Sequence, residues 1–261
     1  KGGVTFTGNT LGLDKLSNRN DRPGTAGSVG AFISTNTANQ AGTYPAGTTL
    51  TWAQNSSSAA LTVPAGATVL YAELIWGGTY QVPTSTLSSA TLSTPVSLKV
   101  GSANAVQIAP ALLLTNTTFG SVRYYVNSAN VTSQIQAAGS GATTITVGGV
   151  PATNSATENN SNTAGWTLAV AYADSTAPVR NLTIFVGAEE GNGNSAQVSG
   201  FCTPSGSTQS ARIAVSAMEG DASITGDQFK FGPSIASLMA LSGPNNQVSN
   251  FFASQINGDT G

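Results

Sequence analysis

The sequence lacks the residues on which several kinds of protein chemistry depend. It contains no histidine and a single cysteine among 261 residues. Without histidine there can be no Ser-His-Asp triad, no Cys-His pair and no imidazole ligand for a metal. One cysteine excludes an internal disulfide and any zinc or iron–sulfur site built from several cysteines.

Charged side chains are also scarce. They make up 8% of the chain, whereas an ordinary soluble domain has roughly 25%. Nine Lys and Arg residues against eleven Asp and Glu give a net charge of −2, so the chain lacks the basic surface that nucleic acid requires. No apolar run approaches the roughly 18 residues of a membrane-spanning helix. We therefore expect neither nucleic-acid binding nor membrane insertion.

The residues that replace the charges are small and polar. Hydrophobic residues still form 39% of the chain, enough for a core, and there are 30 glycines. Ser, Thr and Asn supply most of the polarity; these residues are weak helix formers, Thr and Val favour strands, and Gly, Asn and Ser favour turns. This composition predicts an all-β, extracellular protein.

Strand-like runs separated by turn residues recur along the chain. The strongest covers residues 69–76, in which Leu70, Ala72, Leu74 and Trp76 are predicted to face the core. Residues 166–173 alternate large and small side chains, which suits packing between sheets. No repeat or charged linker divides the sequence. We predict one two-sheet β-sandwich of jelly-roll type over residues 1–261.

Helix signals are few, and two short peripheral helices are expected at most. Residues 130–139 combine a capping Asn, apolar residues four apart and a closing Gly. Residues 246–256 carry apolar side chains at helical spacing. Further strands are predicted within 48–54, 105–114, 181–188, 196–201, 228–231 and 238–241.

An ordered series of short motifs resembles a known family. They are LYAELIWGG at 70–78, NVT at 130–132, GWTLAVAYAD at 165–174, PVRNLT at 178–183, EGD at 219–221 with GDQ at 226–228, and NFF at 250–252. The series resembles the N-terminal non-repeat domain of large Gram-positive, Bacillus-type surface proteins that carry the conserved repeat called domain of unknown function 11, and it covers residues 3–261. The resemblance implies a secreted or wall-associated, adhesive or structural β-domain, a fragment of a longer surface protein. It brings no catalytic motif.

The few carboxylates suggest a possible metal site. Glu219, Asp221 and Asp227 lie within nine residues of one another, and Glu190 sits in a Gly- and Asn-rich stretch. Calcium takes six to eight oxygen ligands, which such loops can present, although the EF-hand spacing is missing. The sequence therefore allows a Ca²⁺ site, with a solvated or capping role for these acids as the alternative. No other cofactor is expected.

Glu73 lies among apolar neighbours and suggests a second kind of chemistry. A buried acid of this kind catalyses the Lys–Asn isopeptide bond in Gram-positive adhesin domains, and Lys15 or Lys230 could approach the core. The alternatives are a buried acid paired with an arginine and lysines whose stems merely cover apolar surface. Glu189 and Glu190 are adjacent, so on a strand they point to opposite faces and cannot form a glycosidase pair.

The single cysteine has two interpretations. Cys202 could form an internal thioester with Gln197, Gln209 or Gln255, as in some wall-anchored adhesins. Alternatively, it is a small buried hydrophobic residue.

The three tryptophans are predicted to have different roles. Trp76 and Trp166 follow the core-facing register of their strands, so both are expected to be packing residues. Trp52 does not, and it is the tryptophan we expect to contact a ligand, such as a sugar.

These observations favour a non-catalytic cell-surface structural or adhesive domain that presents loops or sheet edges to a partner. A carbohydrate-binding, lectin-like module is the alternative, and the sequence offers no convergent acid/base set for an enzyme. The expected partners are proteins or glycans on a host, a matrix or a neighbouring cell. Self-assembly through edge strands is also possible in principle.

Overall fold

The structure, a computed structural model, is built mainly from β-strands. It describes residues 1–11, 52–115, 121–153, 163–187, 195–202, 213, 215, 217, 225–243 and 246–252. The strands are β1 (Gly2–Thr10), β2 (Ser56–Val63), β3 (Thr68–Val82), β4 (Ser85–Thr86), β5 (Val96–Val100), β6 (Val106–Ile108), β7 (Leu112–Thr115), β8 (Arg123–Asn130), β9 (Gly141–Gly148), β10 (Ala164–Ala173), β11 (Lys230–Phe231) and β12 (Met239–Ala240). The α-helices are α1 (Ser89–Leu92) and α2 (Thr132–Ala138), and 3₁₀ helices cover Trp52–Gln54 and Ile235–Ser237.

Two antiparallel sheets pack against each other. Sheet A has the strand order β1-β10-β3-β8-β7, with β4 paired to the end of β3, and sheet B has the order β2-β9-β5-β6. The chain moves back and forth between the sheets, because β1, β3 and β10 belong to sheet A while β2, β5 and β9 belong to sheet B. This confirms the predicted all-β sandwich.

The core is the apolar layer between the sheets. Sheet A contributes Leu74, Trp76 and Leu168, which are all fully buried, and sheet B contributes Leu98 and Ile145 in the same cluster. Burying a large apolar side chain contributes roughly 1.5–3 kcal/mol, so this layer is the main stabilising contact between the sheets. Trp166 is also buried in it, which confirms the core role predicted for Trp76 and Trp166.

The predicted register of β3 is correct for Ala72, Leu74 and Trp76 but wrong for Leu70. On the neighbouring strand β10, Ala171 pairs with Tyr71 and the next residue pairs with Val69, so Leu70 is an extra residue in the ladder. Such a β-bulge reverses the alternation beyond it. As a result Val69 is buried, with 4% of its surface exposed, while Leu70 is 60% exposed.

One of the two predicted helices is confirmed. In α2, the Asn130 side-chain oxygen accepts a hydrogen bond from the Thr132 amide at 3.0 Å, and Gly139 follows the helix with φ of 74°. Residues 246–252 form a turn instead, in which the Asn246 side-chain amide donates to the Phe251 carbonyl at 2.7 Å. That local hydrogen bond competes with helix formation, and the rest of the predicted helix lies outside the described residues.

Several predicted strands are divided or absent in the structure. The run 105–114 divides into β6 and β7 around Pro110, which has no amide proton to donate to a ladder. The end of the run predicted at 48–54 is the 3₁₀ helix Trp52–Gln54, and no strand covers 181–187 or 196–201. Strands β11 and β12 pair only with each other, next to an aromatic cluster of Phe229, Phe251 and Phe252.

None of the helices in the described ranges is long and apolar enough to cross a membrane.

A hydrogen bond between the two sheets provides a direct test of this packing. The Trp166 indole Nε1 donates to Ser57 Oγ at 2.9 Å in the buried layer. In Ser57→Ala the indole N–H loses its acceptor, so we expect the free energy of unfolding to fall by about 1–3 kcal/mol. The matched control is Ser58→Ala, on the same strand but exposed. Its hydroxyl bonds Thr146 Oγ1 at the surface, where water can take the place of the lost group, so the expected change is within about 0.5 kcal/mol. Urea unfolding measures both, and equal losses in the two variants would contradict the packing.

Candidate ligand-binding site

The outer face of sheet B is made of small polar side chains. Along β5, Val96, Leu98 and Val100 are buried, whereas Ser97 is half-buried and Lys99 is exposed. This alternation sends the apolar residues to the core and the polar residues to the outside. Lys99 is the only charged residue in the sequences of β2, β5, β6 and β9.

Register brings four of these positions into one line across the sheet. Gln107 on β6 lies opposite Ser97 on β5, Ser97 lies opposite Gly148 on β9, and Gly148 lies opposite Ser56 on β2. Paired residues share a face, so these four form one row, here called the Gly148 row. It spans three strand spacings, about 14 Å. Lys99 and Thr146 pair two residues further along, about 6.8 Å away.

A cleft of about 480 Å³ opens over the Gly148 row. Its lining combines the row with parts of the segments that flank it: Trp52, Ala53, Asn55, Ser56, Thr94, Pro95, Ser97, Lys99, Ala105, Gln107, Thr146, Gly148 and Gly149. A cleft of this size has room for a small ligand, and its lining offers one aromatic side chain and several polar groups.

Backbone hydrogen bonds hold Trp52 at the edge of the cleft. The Asn55 amide donates to the Trp52 carbonyl at 3.2 Å, which closes the 3₁₀ turn, and the Gly149 amide donates to the Asn55 carbonyl at 2.9 Å. The buried Asn55 side-chain amide donates to the Leu11 carbonyl at 3.2 Å. Trp52 itself is half-buried and packs against the edge of the core, so part of the indole is fixed and part lines the cleft.

Gly148 permits the close approach of β2 at this point. A Cβ atom on Gly148 would lie 2.6 Å from the Asn55 carbonyl oxygen and 2.9 Å from the Ser56 Cβ, closer than side-chain carbons approach in proteins. Gly149 has φ of 72°, in the left-handed region that favours glycine. The Gly-Gly pair therefore sets both the floor of the cleft and the position of the Trp52 turn.

The polar groups in the cleft suit a polar, uncharged or anionic ligand. Lys99 and Gln107 are exposed, and Thr146 Oγ1 shares a hydrogen bond of 2.7 Å with Ser58 Oγ. Among the described residues, the lining contains hydroxyl, amide and ammonium groups and no carboxylate. Together with the indole, these groups can bind an organic molecule that has both apolar faces and hydroxyl groups.

Four of the predicted site residues are described, and they do not share one element. Trp52 lies in the cleft. Glu73 lies on sheet A, Lys230 is exposed on β11, and Asp227 is exposed beside it. The remaining predicted site residues fall outside the described residues: Lys15, Glu190, Glu219 and Asp221. Of the four predicted calcium ligands the structure describes Asp227 alone, so the calcium site stays a prediction. Among the described residues, no three His, Cys, Asp or Glu side chains form a group that could hold a metal ion.

The described hydrogen-bond partner of Glu73 is a tyrosine. Glu73 is buried, 6% exposed, and one of its oxygens accepts a hydrogen bond of 2.6 Å from the Tyr71 hydroxyl. This hydrogen bond, with burial and the repulsion of a second negative charge, raises the pKa of Tyr71 to about 12. The interaction satisfies the buried carboxylate, while the proposed isopeptide chemistry of Glu73 with Lys15 or Lys230 remains a prediction.

Cys202 is exposed, so the expectation of a small buried hydrophobic residue is wrong. Gln197 is exposed as well, while Gln209 and Gln255 lie outside the described residues. The thioester stays a prediction.

Sequence analysis predicted a ligand contact at Trp52 but did not find the groups around it. It did not single out Lys99, Gln107 or Gly148 as binding residues. The alternation Val96-Ser97-Leu98-Lys99-Val100 could have placed Lys99 on the outer face. The Gly148 row could not be found in this way, because it depends on the pairing of four strands.

Comparison with known proteins places the chain in a family. A family model described as "Protein of unknown function (DUF3344)" matches residues 25–242. The chain belongs to the DUF3344 family. The matched region contains every residue that lines the cleft, and the description of DUF3344 assigns no activity. No curated protein and no solved structure matches the chain.

The close approach at Gly148 can be tested by substitution. In Gly148→Ala the added methyl group overlaps the Asn55 carbonyl, so we expect a loss of about 1–3 kcal/mol in the free energy of unfolding. Gly187→Ala is the control, because its Cβ would meet no atom within 4 Å, and its stability should be equal or slightly higher. Thermal unfolding compares the two variants. A neutral Gly148→Ala would show that β2 and β9 are not in this contact.

The Tyr71–Glu73 hydrogen bond predicts a specific alkaline titration. Since the pKa of Tyr71 is raised to about 12 from its usual value of 10.0, its contribution to stability is complete below pH 10 and is lost between pH 10 and 12. In Glu73→Gln the pKa of Tyr71 should fall towards 10.0, because the second negative charge and the carboxylate acceptor are gone. Carbon-13 NMR titration of the tyrosine rings measures it, with Tyr71→Phe assigning the signal. An unchanged pKa in Glu73→Gln would contradict the contact.

Proposed function

We propose that this member of the DUF3344 family is a non-catalytic cell-surface domain, structural or adhesive in role, that binds a partner through its exterior. The proposal is supported by the difference between the two faces of sheet B. Its inner face joins the core, and its outer face carries an open cleft edged by Trp52. The resemblance to Gram-positive surface proteins supports the location on the cell surface.

The cleft favours one class of partner within this proposal. A sugar ring has an apolar C–H face and a rim of hydroxyl groups, which match an indole and a row of hydroxyl and amide side chains. Trp52 lies next to the Gly148 row, where Ser56, Ser97 and Gln107 are on one face. A carbohydrate-binding role, the alternative expected from the sequence, is therefore the specific form of the proposal that the cleft supports.

The cleft also explains why a rigid sandwich suits this role. The row is fixed by backbone pairing, and Ser56, Ser97 and Gly148 have short side chains or none, so little conformational entropy is lost when a ligand contacts these three. Trp52 is held in place by its contact with the core. A preorganised surface of this kind binds without a conformational change.

Glycan-array binding by the purified chain, followed by calorimetry on the best oligosaccharide, tests the proposal. Trp52→Ala should weaken binding by at least about 2 kcal/mol, as aromatic residues at the centre of binding sites do, which is roughly 30-fold in affinity. The control is Phe231→Ala, an exposed aromatic on β11 away from the cleft, which should bind as the wild type does.

The outcomes separate the two forms of the proposal. Saccharide binding that Trp52→Ala leaves intact would reject the cleft as the site. Binding to proteins but to no glycan would reject the carbohydrate role and leave the adhesive one. Hydrolysis of any bound glycan would overturn the non-catalytic assignment.

A further inference from the structure

We propose that the cleft recognises an acidic saccharide, with Lys99 binding the anionic group. The inference rests on the carbohydrate-binding form of the proposed function and adds to it the class of sugar. It follows from the position of Lys99, the single cation among the described residues that line the cleft.

Lys99 is placed to be reached from the Gly148 row. It lies on β5 two residues beyond Ser97, a member of the row, and on the same outer face. The separation is about 6.8 Å along the strand, which the flexible lysine stem spans easily. A saccharide lying along the row beside Trp52 therefore places a ring substituent within reach of the ammonium group.

The ammonium group has no competing partner among the residues that the structure describes. Thr146, its cross-strand neighbour, contributes a hydroxyl group that is already engaged with Ser58. The described carboxylates are Glu73, Asp174 and Asp227; Glu73 lies on sheet A, Asp174 follows β10 of that sheet, and Asp227 lies near β11. No ion pair with a described residue therefore has to break before Lys99 binds an anion.

The charge in the cleft and the net charge of the chain have opposite signs. The whole chain has a net charge of −2, yet Lys99 is the only charged residue among the described residues that line the cleft. A carboxylate on the ligand would form a charge-assisted hydrogen bond with it, and so would a sulfate. Gln107, exposed at the end of the row on the neighbouring strand, adds an amide donor for the same group or for a hydroxyl beside it.

The test compares three oligosaccharides of equal length by calorimetry: a polyuronate fragment, a sulfated galactan fragment and a neutral glucan fragment. The wild type should bind at least one acidic probe about tenfold more tightly than the neutral one, the lower end of what hydrogen bonds to charged groups contribute. The affinity for that probe should fall as salt rises, because the contact is exposed to screening. The two acidic probes show whether carboxylate or sulfate is preferred.

Three variants identify the cation that is responsible. Lys99→Gln should lose about tenfold in affinity for the acidic probe and keep its affinity for the neutral one. Lys230→Gln, which removes an exposed lysine on β11, is the matched control and should change neither. Lys99→Arg should retain the preference, since the charge remains. Equal melting temperatures of these variants would show that each one folds as the wild type does.

The failures of the two proposals can be told apart. Tight binding of the neutral probe, abolished by Trp52→Ala and unaffected by Lys99→Gln, would overturn the acidic specificity and leave the carbohydrate site intact. A preference for acidic probes that survives Lys99→Gln would overturn the role of Lys99. If no probe binds at all, the carbohydrate-binding function itself fails.

Discussion

The structure depends on the burial of two apolar sheet faces against each other. Because side chains alternate along a strand, the residues that send Leu98 and Ile145 into the core also send Lys99 and Thr146 to the outside. The inner layer fixes the strands, and the strands fix the register of everything on the outer surface. The proposed binding site therefore needs no stabilising interactions of its own beyond those that hold the sandwich together.

Local features modify this alternation of side chains at two places. The bulge at Leu70 keeps Val69 in the core at the start of the long strand β3. The Gly-Gly pair at the end of β9 lets the Trp52 turn pack closely. Side-chain hydrogen bonds join the edges of the two sheets. Thr7 Oγ1 and the Asn9 side-chain amide, both on β1, donate to the carbonyls of Ala60 and Ser58 on β2, so part of the β2 edge is occupied by side chains.

The sequence alone predicted what depends on local alternation and failed where the result depends on pairing between distant segments. Trp76 and Trp166 were correctly assigned to the core because the period of two is visible in their own strands. Leu70 was misassigned because a bulge is defined by the partner strand. Trp52 was correctly separated from the other tryptophans, but its surroundings come from Gly148 and Ser97, more than forty residues away in the sequence. The chain's identity as a DUF3344 protein added no chemistry to this, so the geometry of the cleft carries the functional argument.

The three tryptophans allow the central claim to be tested in one experiment. Trp76 and Trp166 are buried in the core, whereas Trp52 lines the cleft, so their indole N–H signals in a nitrogen-15 NMR spectrum report on two different places. Titration with the tightest-binding acidic oligosaccharide should shift the Trp52 signal, assigned through Trp52→Phe, and leave the other two in place. A titration that shifts Trp76 or Trp166 and leaves Trp52 unchanged would contradict the account.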